Sequence, residues 1–167
     1  MWRRRVLACG LLIGILSGRA GAQTPVILGF MESDIRLAVR RAVEGAAARL
    51  ARPGCQELFS DFTDEVGQRL STTLAASAKS PTEALGVLRF VDDGAAPQCR
   101  AGTTLAFTQT GSRLIRVCGL QFRDRFAQNR TTTEIILIHE FLHTLGLGEN
   151  LPTSRAITER VAARCGG

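Results

Sequence analysis

The stretch His139-Glu140-Phe141-Leu142-His143 contains the only two histidines of the chain, four residues apart, with a glutamate directly after the first. A helix turns by about 100° per residue, so residues four apart stack on one face and the two imidazoles stand side by side. That is what two corners of a tetrahedral zinc site require. Glu140 lies one step round the helix. From there its carboxylate reaches a water held by the metal without ligating the metal itself. Zinc lowers the pKa of such a water to about 7, and a carboxylate then takes the proton as the water attacks a carbonyl. The residue types point to zinc-assisted hydrolysis, with His139 and His143 as ligands and Glu140 as general base.

This chemistry needs a buried helix beneath it. Thr131-x-x-Glu134 reads as a capping box ahead of Ile135-Ile136-Leu137-Ile138, and Gly146 reads as the residue just past the helix end. The helix is apolar nearly all round, which predicts burial. Two histidines and a glutamate inside such a helix are costly without a partner, and a metal is the simplest one.

The rest of the chain must position that helix. Ile35, Val39, Val43, Ala46 and Leu50 recur at helical spacing over 34–51, before Pro53-Gly54. Leu58, Phe62, Val66, Leu70 and Leu74 predict a second helix over 56–76. Ser80-Pro81-Thr82-Glu83 is a capping box opening a short third helix. Val87 to Val91 reads as a strand, and residues 104–108 and 113–117 as a hairpin around Gly111-Ser112. The link from Gly119 to Arg130 reads as polar and irregular. After Pro152, residues 153–164 suit a last helix anchored by Ile157 and Val161. The pattern is α+β in one domain: N-terminal helices, a short sheet with a hairpin, the helix of the motif and a C-terminal helix.

The first 22 residues stand apart. Arg3, Arg4 and Arg5 precede the apolar run Val6 to Leu16, and Ala20-Gly21-Ala22 is a small-x-small cleavage site. This reads as a secretory signal peptide cut before Gln23, leaving a domain over 23–167. The apolar run is well short of the roughly 20 residues that span a bilayer, so no membrane association is expected after cleavage. The whole chain carries +6, from 21 basic and 15 acidic side chains. Cleavage removes four arginines and no acid, so 17 bases against 15 acids leave +2. That excludes a general nucleic-acid surface, which needs a concentrated basic field. Cys55, Cys99, Cys118 and Cys165 remain, an even number with no C-x-x-C pair. They predict two disulfides in an exported protein, secreted or periplasmic. Three pairings are open, and the one adopted here is Cys55–Cys99 with Cys118–Cys165.

The longer string His139-Glu140-x-x-His143-x-x-Gly146-x-x-Glu149 resembles the signature of the zincin metallopeptidases, in particular the metzincin pattern H-E-x-x-H-x-x-G-x-x-H. The resemblance covers about a dozen residues. It implies a small zincin-like fold, a Zn2+ cofactor and a peptide or protein substrate. It also implies that the chain turns sharply at Gly146 and returns Glu149 to the metal as third ligand, where metzincins carry His or Asp. A carboxylate oxygen is a competent zinc ligand. Downstream of the motif the acidic side chains are Glu149 and Glu159. Glu159 matches the gluzincin plan, in which a following helix supplies the glutamate; the Gly146 spacing favours Glu149. Glu134 falls on the opposite side of the helix from the histidines. The chain departs from the metzincin pattern in two ways. It has no methionine downstream of Met31 for a Met-turn, and no tyrosine or third histidine to meet an oxyanion. That role falls to zinc, a backbone N–H, or a polar residue such as Asn150 or Arg155.

Two functions follow from different classes. The first is a secreted zinc peptidase. The alternative is a non-catalytic, zinc-stabilised secreted binding protein. Hydrolysis of a non-peptide amide also fits the motif. Oligomeric state is not encoded in any feature of the sequence.

Overall fold

In the computed structural model, which describes residues 27–167, the chain starts with strand β1 (Ile27–Leu28) and enters helix α1 (Ser33–Leu50). α1 buries Ile35, Val39, Ala42, Val43, Ala46 and Leu50, the stripe that its sequence spacing predicts. The proposed signal peptide lies outside the described residues.

The predicted helix over 56–76 is replaced by α2 (Pro53–Gln56), α3 (Leu58–Asp61) and α4 (Leu70–Ala76) with a turn between them. The turn has a local cause. Asp64 Oδ1 accepts hydrogen bonds from the backbone N–H of Val66 at 3.1 Å and of Gln68 at 2.8 Å, which competes with helix formation. The backbone pairs across the turn, with Leu70 N donating to Phe62 O at 3.1 Å. Leu58, Phe62, Leu70 and Leu74 are buried as expected, but Val66 at the tip is 88% exposed.

Helix α5 (Pro81–Gly86) carries the predicted Ser80–Glu83 capping box, formed in both directions. Then come β2 (Arg89–Asp92), α6 (Pro97–Arg100), β3 (Ala106–Phe107) and β4 (Leu114–Val117). The four strands form one sheet in the order β1-β2-β4-β3. β1 and β4 both run parallel to β2, with Phe90 beside Ile115, and β3 pairs antiparallel to β4 with Ala106 beside Val117. The hairpin is present, and it leaves β3 at the edge of the sheet.

The stretch after β4 is not irregular. It is helix α7 (Gly119–Gln128), with Phe122 fully buried. Its first N–H, from Gly119, donates to Asp92 Oδ1 at 3.0 Å. The cap therefore comes from β2, a distant strand, and no local cap precedes the helix. Helix α8 (Arg130–Thr144) follows, capped by Asn129, whose Oδ1 accepts from Thr132 N at 3.1 Å. The expected Thr131–Glu134 capping box does not form. Glu134 instead pairs with Arg49 at 2.6 Å, with both side chains about 14% exposed or less. Gly45 makes room for this: a Cβ there would overlap the Glu134 carboxylate.

Arg49 also donates to Thr131 Oγ1 at 3.0 Å and to the Cys165 carbonyl at 2.7 Å, so one guanidinium joins α1, α8 and the end of α9 (Ser154–Cys165). Replacing Arg49 with Met should cost about 3 kcal/mol, because it leaves Glu134 largely buried and unpaired, and Glu134→Gln should cost less. Urea unfolding midpoints compare the two.

The disulfides also differ from the adopted pairing. They are Cys55–Cys165 and Cys99–Cys118. The reason is that α9 folds back beside α2 and α3. Arg164 donates to Asp61 at 2.8 Å and holds that carboxyl below its ordinary range through the hydrogen bond and its charge. Cys99 and Cys118 meet where α6 packs against the end of β4. No helix among the described residues is long and apolar enough to cross a membrane.

Candidate metal centre

α8 is the buried helix that the motif requires. Its Leu137, Ile138, Phe141 and Leu142 lie in the core. Inside that apolar surround sit His139, Glu140 and His143, exposed by 3%, 6% and 5%. Buried polar groups are costly unless paired, so their partners decide the chemistry.

The two imidazoles turn their Nε2 atoms toward each other, 2.9 Å apart. Glu149 Oε1 lies 3.5 Å from His139 Nε2 and 3.2 Å from His143 Nε2. A tetrahedral zinc with bonds of about 2.0–2.1 Å needs ligand atoms about 3.3–3.4 Å apart. The two Glu149 spacings fall close to that, and the imidazole pair stands closer together than a bound ion would hold it. His139, His143 and Glu149 are a group that can hold a metal ion. Glu159 is not part of it: it pairs with Arg155 at 2.7 Å, with both side chains mostly in solvent.

The return of Glu149 is built by the end of α8. Gly146 has φ of +106°, a conformation that side-chain-bearing residues rarely adopt. Gly146 N donates to His143 O at 3.0 Å and Leu147 N to Leu142 O at 3.2 Å, which reverses the chain as in a Schellman motif. The Asp64 turn supports the reversal, with Glu65 N donating to Gly146 O at 3.2 Å. A Cβ on Gly146 would also stand 3.0 Å from Asp64 Cβ. Gly146→Ala should therefore cost about 1–3 kcal/mol in a urea melt. It should also weaken zinc binding, because the turn that carries Glu149 must shift.

Each histidine is held from behind. His143 Nδ1 lies 2.6 Å from the Leu147 carbonyl oxygen, and His139 Nδ1 lies 2.8 Å from Thr158 Oγ1 on α9. Such outer contacts fix ring orientation in metal sites. Sequence reasoning missed both. The Leu147 contact is a main-chain atom, and Thr158 looks like any polar residue on an amphipathic helix. Burial, followed by the neighbouring His143, pushes the His139 pKa down to about 4, against the opposing pull of Glu149. The ring is neutral near pH 7, as a metal ligand must be.

Glu140 is the odd member. Its Oε2 is buried and has no hydrogen-bond partner. Burial, then the charge of Glu149, pushes its pKa up to about 8, while a backbone hydrogen bond from Thr108 acts the other way. The Thr108 segment is tied to α8 again where Gly111 N donates to His143 O at 2.8 Å. The residues fit a divalent metal: three convergent donors and, beside them, a buried carboxyl oxygen without a hydrogen-bond partner.

The site opens into a cleft of about 550 Å³. Its walls are Ala106, Phe107 and Thr108 on the hairpin, Gln98, Gln109 and Ser154, with Glu140, His143 and Glu149 at the base. Arg155, considered for the oxyanion, instead points to Glu159. No protein family profile, curated protein or solved structure matches the chain.

Proposed function

We propose that the chain is an exported zinc-dependent peptidase, with His139, His143 and Glu149 holding the ion and Glu140 as general base. The observation that carries this reading is the pairing of three convergent donor atoms with a buried carboxylate whose Oε2 has no partner. A closed structural zinc site takes four protein ligands, whereas a catalytic one keeps a position open. The group assembled here has three. Export is supported by the two disulfides, which persist in oxidising compartments.

When bound, zinc supplies a Lewis acid that acidifies water and polarises a carbonyl. The remaining work belongs to the chain. Glu140 takes a proton from water onto Oε2 and returns it to the leaving amine. β3 lies at the sheet edge and its Ala106 and Phe107 line the cleft. An extended peptide adds to it as a further strand, so that main-chain hydrogen bonds place the scissile carbonyl over the site.

The test is metal analysis of the purified protein together with cleavage of an unstructured peptide library, with and without a zinc chelator. About one zinc per chain and chelator-sensitive cleavage are expected. A zinc-loaded protein that cleaves no peptide would favour a binding protein instead, and a protein that takes up no zinc would defeat both.

A further inference from the structure

We infer that Thr158 is a positioning residue for His139: its hydroxyl holds Nδ1 so that Nε2 turns its lone pair toward the cation site. This rests on the metal reading above and adds to it a residue outside the motif.

The two histidines are held by chemically different groups. The Leu147 carbonyl behind His143 can only accept, so His143 Nδ1 carries a proton, and in a neutral ring the lone pair is on Nε2. That assignment follows from the hydrogen-bond network. The Thr158 hydroxyl, 2.8 Å from His139 Nδ1, can accept or donate. When it donates, the single proton of the neutral ring sits on Nε2 and points into the site. When it accepts, the proton sits on Nδ1 and Nε2 is free to ligate. The exchange moves one proton between two nitrogens and leaves the charge of the ring unchanged. A cation at the site selects the second state, and the hydroxyl meets it by turning its O–H away while its oxygen stays in place.

Thr158 is placed by anchors that do not involve His139. Ile157 and Val161, on either side of it in α9, are fully buried. Cys165 at the helix end is bonded to Cys55, and Arg164 pairs with Asp61 at 2.8 Å. The hydroxyl is therefore delivered to His139 by the packing of α9, and loss of the hydroxyl alone leaves those anchors in place.

The experiment measures zinc affinity by competition with a chromophoric chelator in the full protein, Thr158→Val and Thr158→Ser, together with the Tm of each after zinc removal. Val keeps the shape and loses the hydroxyl; Ser keeps the hydroxyl. Thr158→Val should bind zinc about 10–100-fold more weakly, Thr158→Ser within a few-fold of wild type, and the zinc-free Tm values should agree. Long-range nitrogen NMR of the zinc-loaded wild type should place the His139 proton on Nδ1. Equal zinc affinity in wild type and Thr158→Val overturns the role of Thr158 while leaving the metal centre standing. An equal loss in the Val and Ser variants, or one that tracks a fall in zinc-free Tm, assigns Thr158 to packing and also overturns it. A wild type that takes up no zinc removes the metal centre itself.

Discussion

Glu140→Gln should retain zinc and lower peptide hydrolysis by about 10²–10⁴-fold, the usual contribution of a positioned proton-transfer group. The substitution keeps the shape of the side chain and removes the capacity to take a proton. Metal content and kcat/KM, measured on the same sample, separate the two properties. A Gln variant that hydrolyses peptide at the wild-type rate would remove Glu140 from the mechanism. The same substitution has an opposite signature in zinc-stripped protein. Glu140 has a folded pKa raised from 4.5 to about 8, so the folded chain holds its proton more tightly than the unfolded chain does. The stability it contributes is fully present below about pH 4.5 and is lost as pH rises through about 8. Thermal melts of the stripped protein should thus show Glu140→Gln raising Tm at about pH 8–9 and changing it little near pH 4.5.

Removing the Cys55–Cys165 disulfide, as Cys55→Ser with Cys165→Ser, should lower stability by about 4–5 kcal/mol, because the bond closes a separation of 110 residues. In a domain of this size that corresponds to a fall of roughly 10–15 °C in Tm. The shorter Cys99–Cys118 bond, with a separation of 19, should contribute about 3 kcal/mol. Circular-dichroism melts of the two double variants rank them, and the reverse order would contradict the loop-entropy account. Zinc affinity should drop in the first variant and hold in the second. Only the first loosens α9, which carries Thr158.

The parts of the molecule that were legible from sequence are those specified by neighbours along the chain. α8 could be read because its apolar residues, its histidine spacing and Gly146 all lie within one short segment. The Gly146 spacing also pointed to Glu149, and the chain reversal brings that carboxylate to both Nε2 atoms. The predicted helix over 56–76 failed for an instructive reason. Leu58, Phe62, Leu70 and Leu74 are buried in either arrangement, so periodicity did not discriminate. Asp64 and the following Gly67, with φ of +83°, carried the turn signal. α7 was hidden because its cap is Asp92, supplied from another strand. Glu134 has the spacing of a local cap and serves instead as the partner of Arg49, a residue of α1. The disulfide pairing, Thr158 and the Leu147 carbonyl depend on how α9 and the Gly146 turn fold back, which is three-dimensional information that no local pattern holds.

The long disulfide has a topological consequence. Cys55 and Cys165 bracket the exposed Asp64 turn, the cleft and every proposed metal ligand within one covalent ring. If the proposed peptidase activity holds, neighbouring copies are substrates for one another, and the exposed tip at Val66 is an open target. One cut anywhere inside the ring turns a loop into two ends while the pieces remain one molecule. Nicked and intact forms would then migrate together on a gel until a thiol is added, and a cut would age the protein without dismantling it.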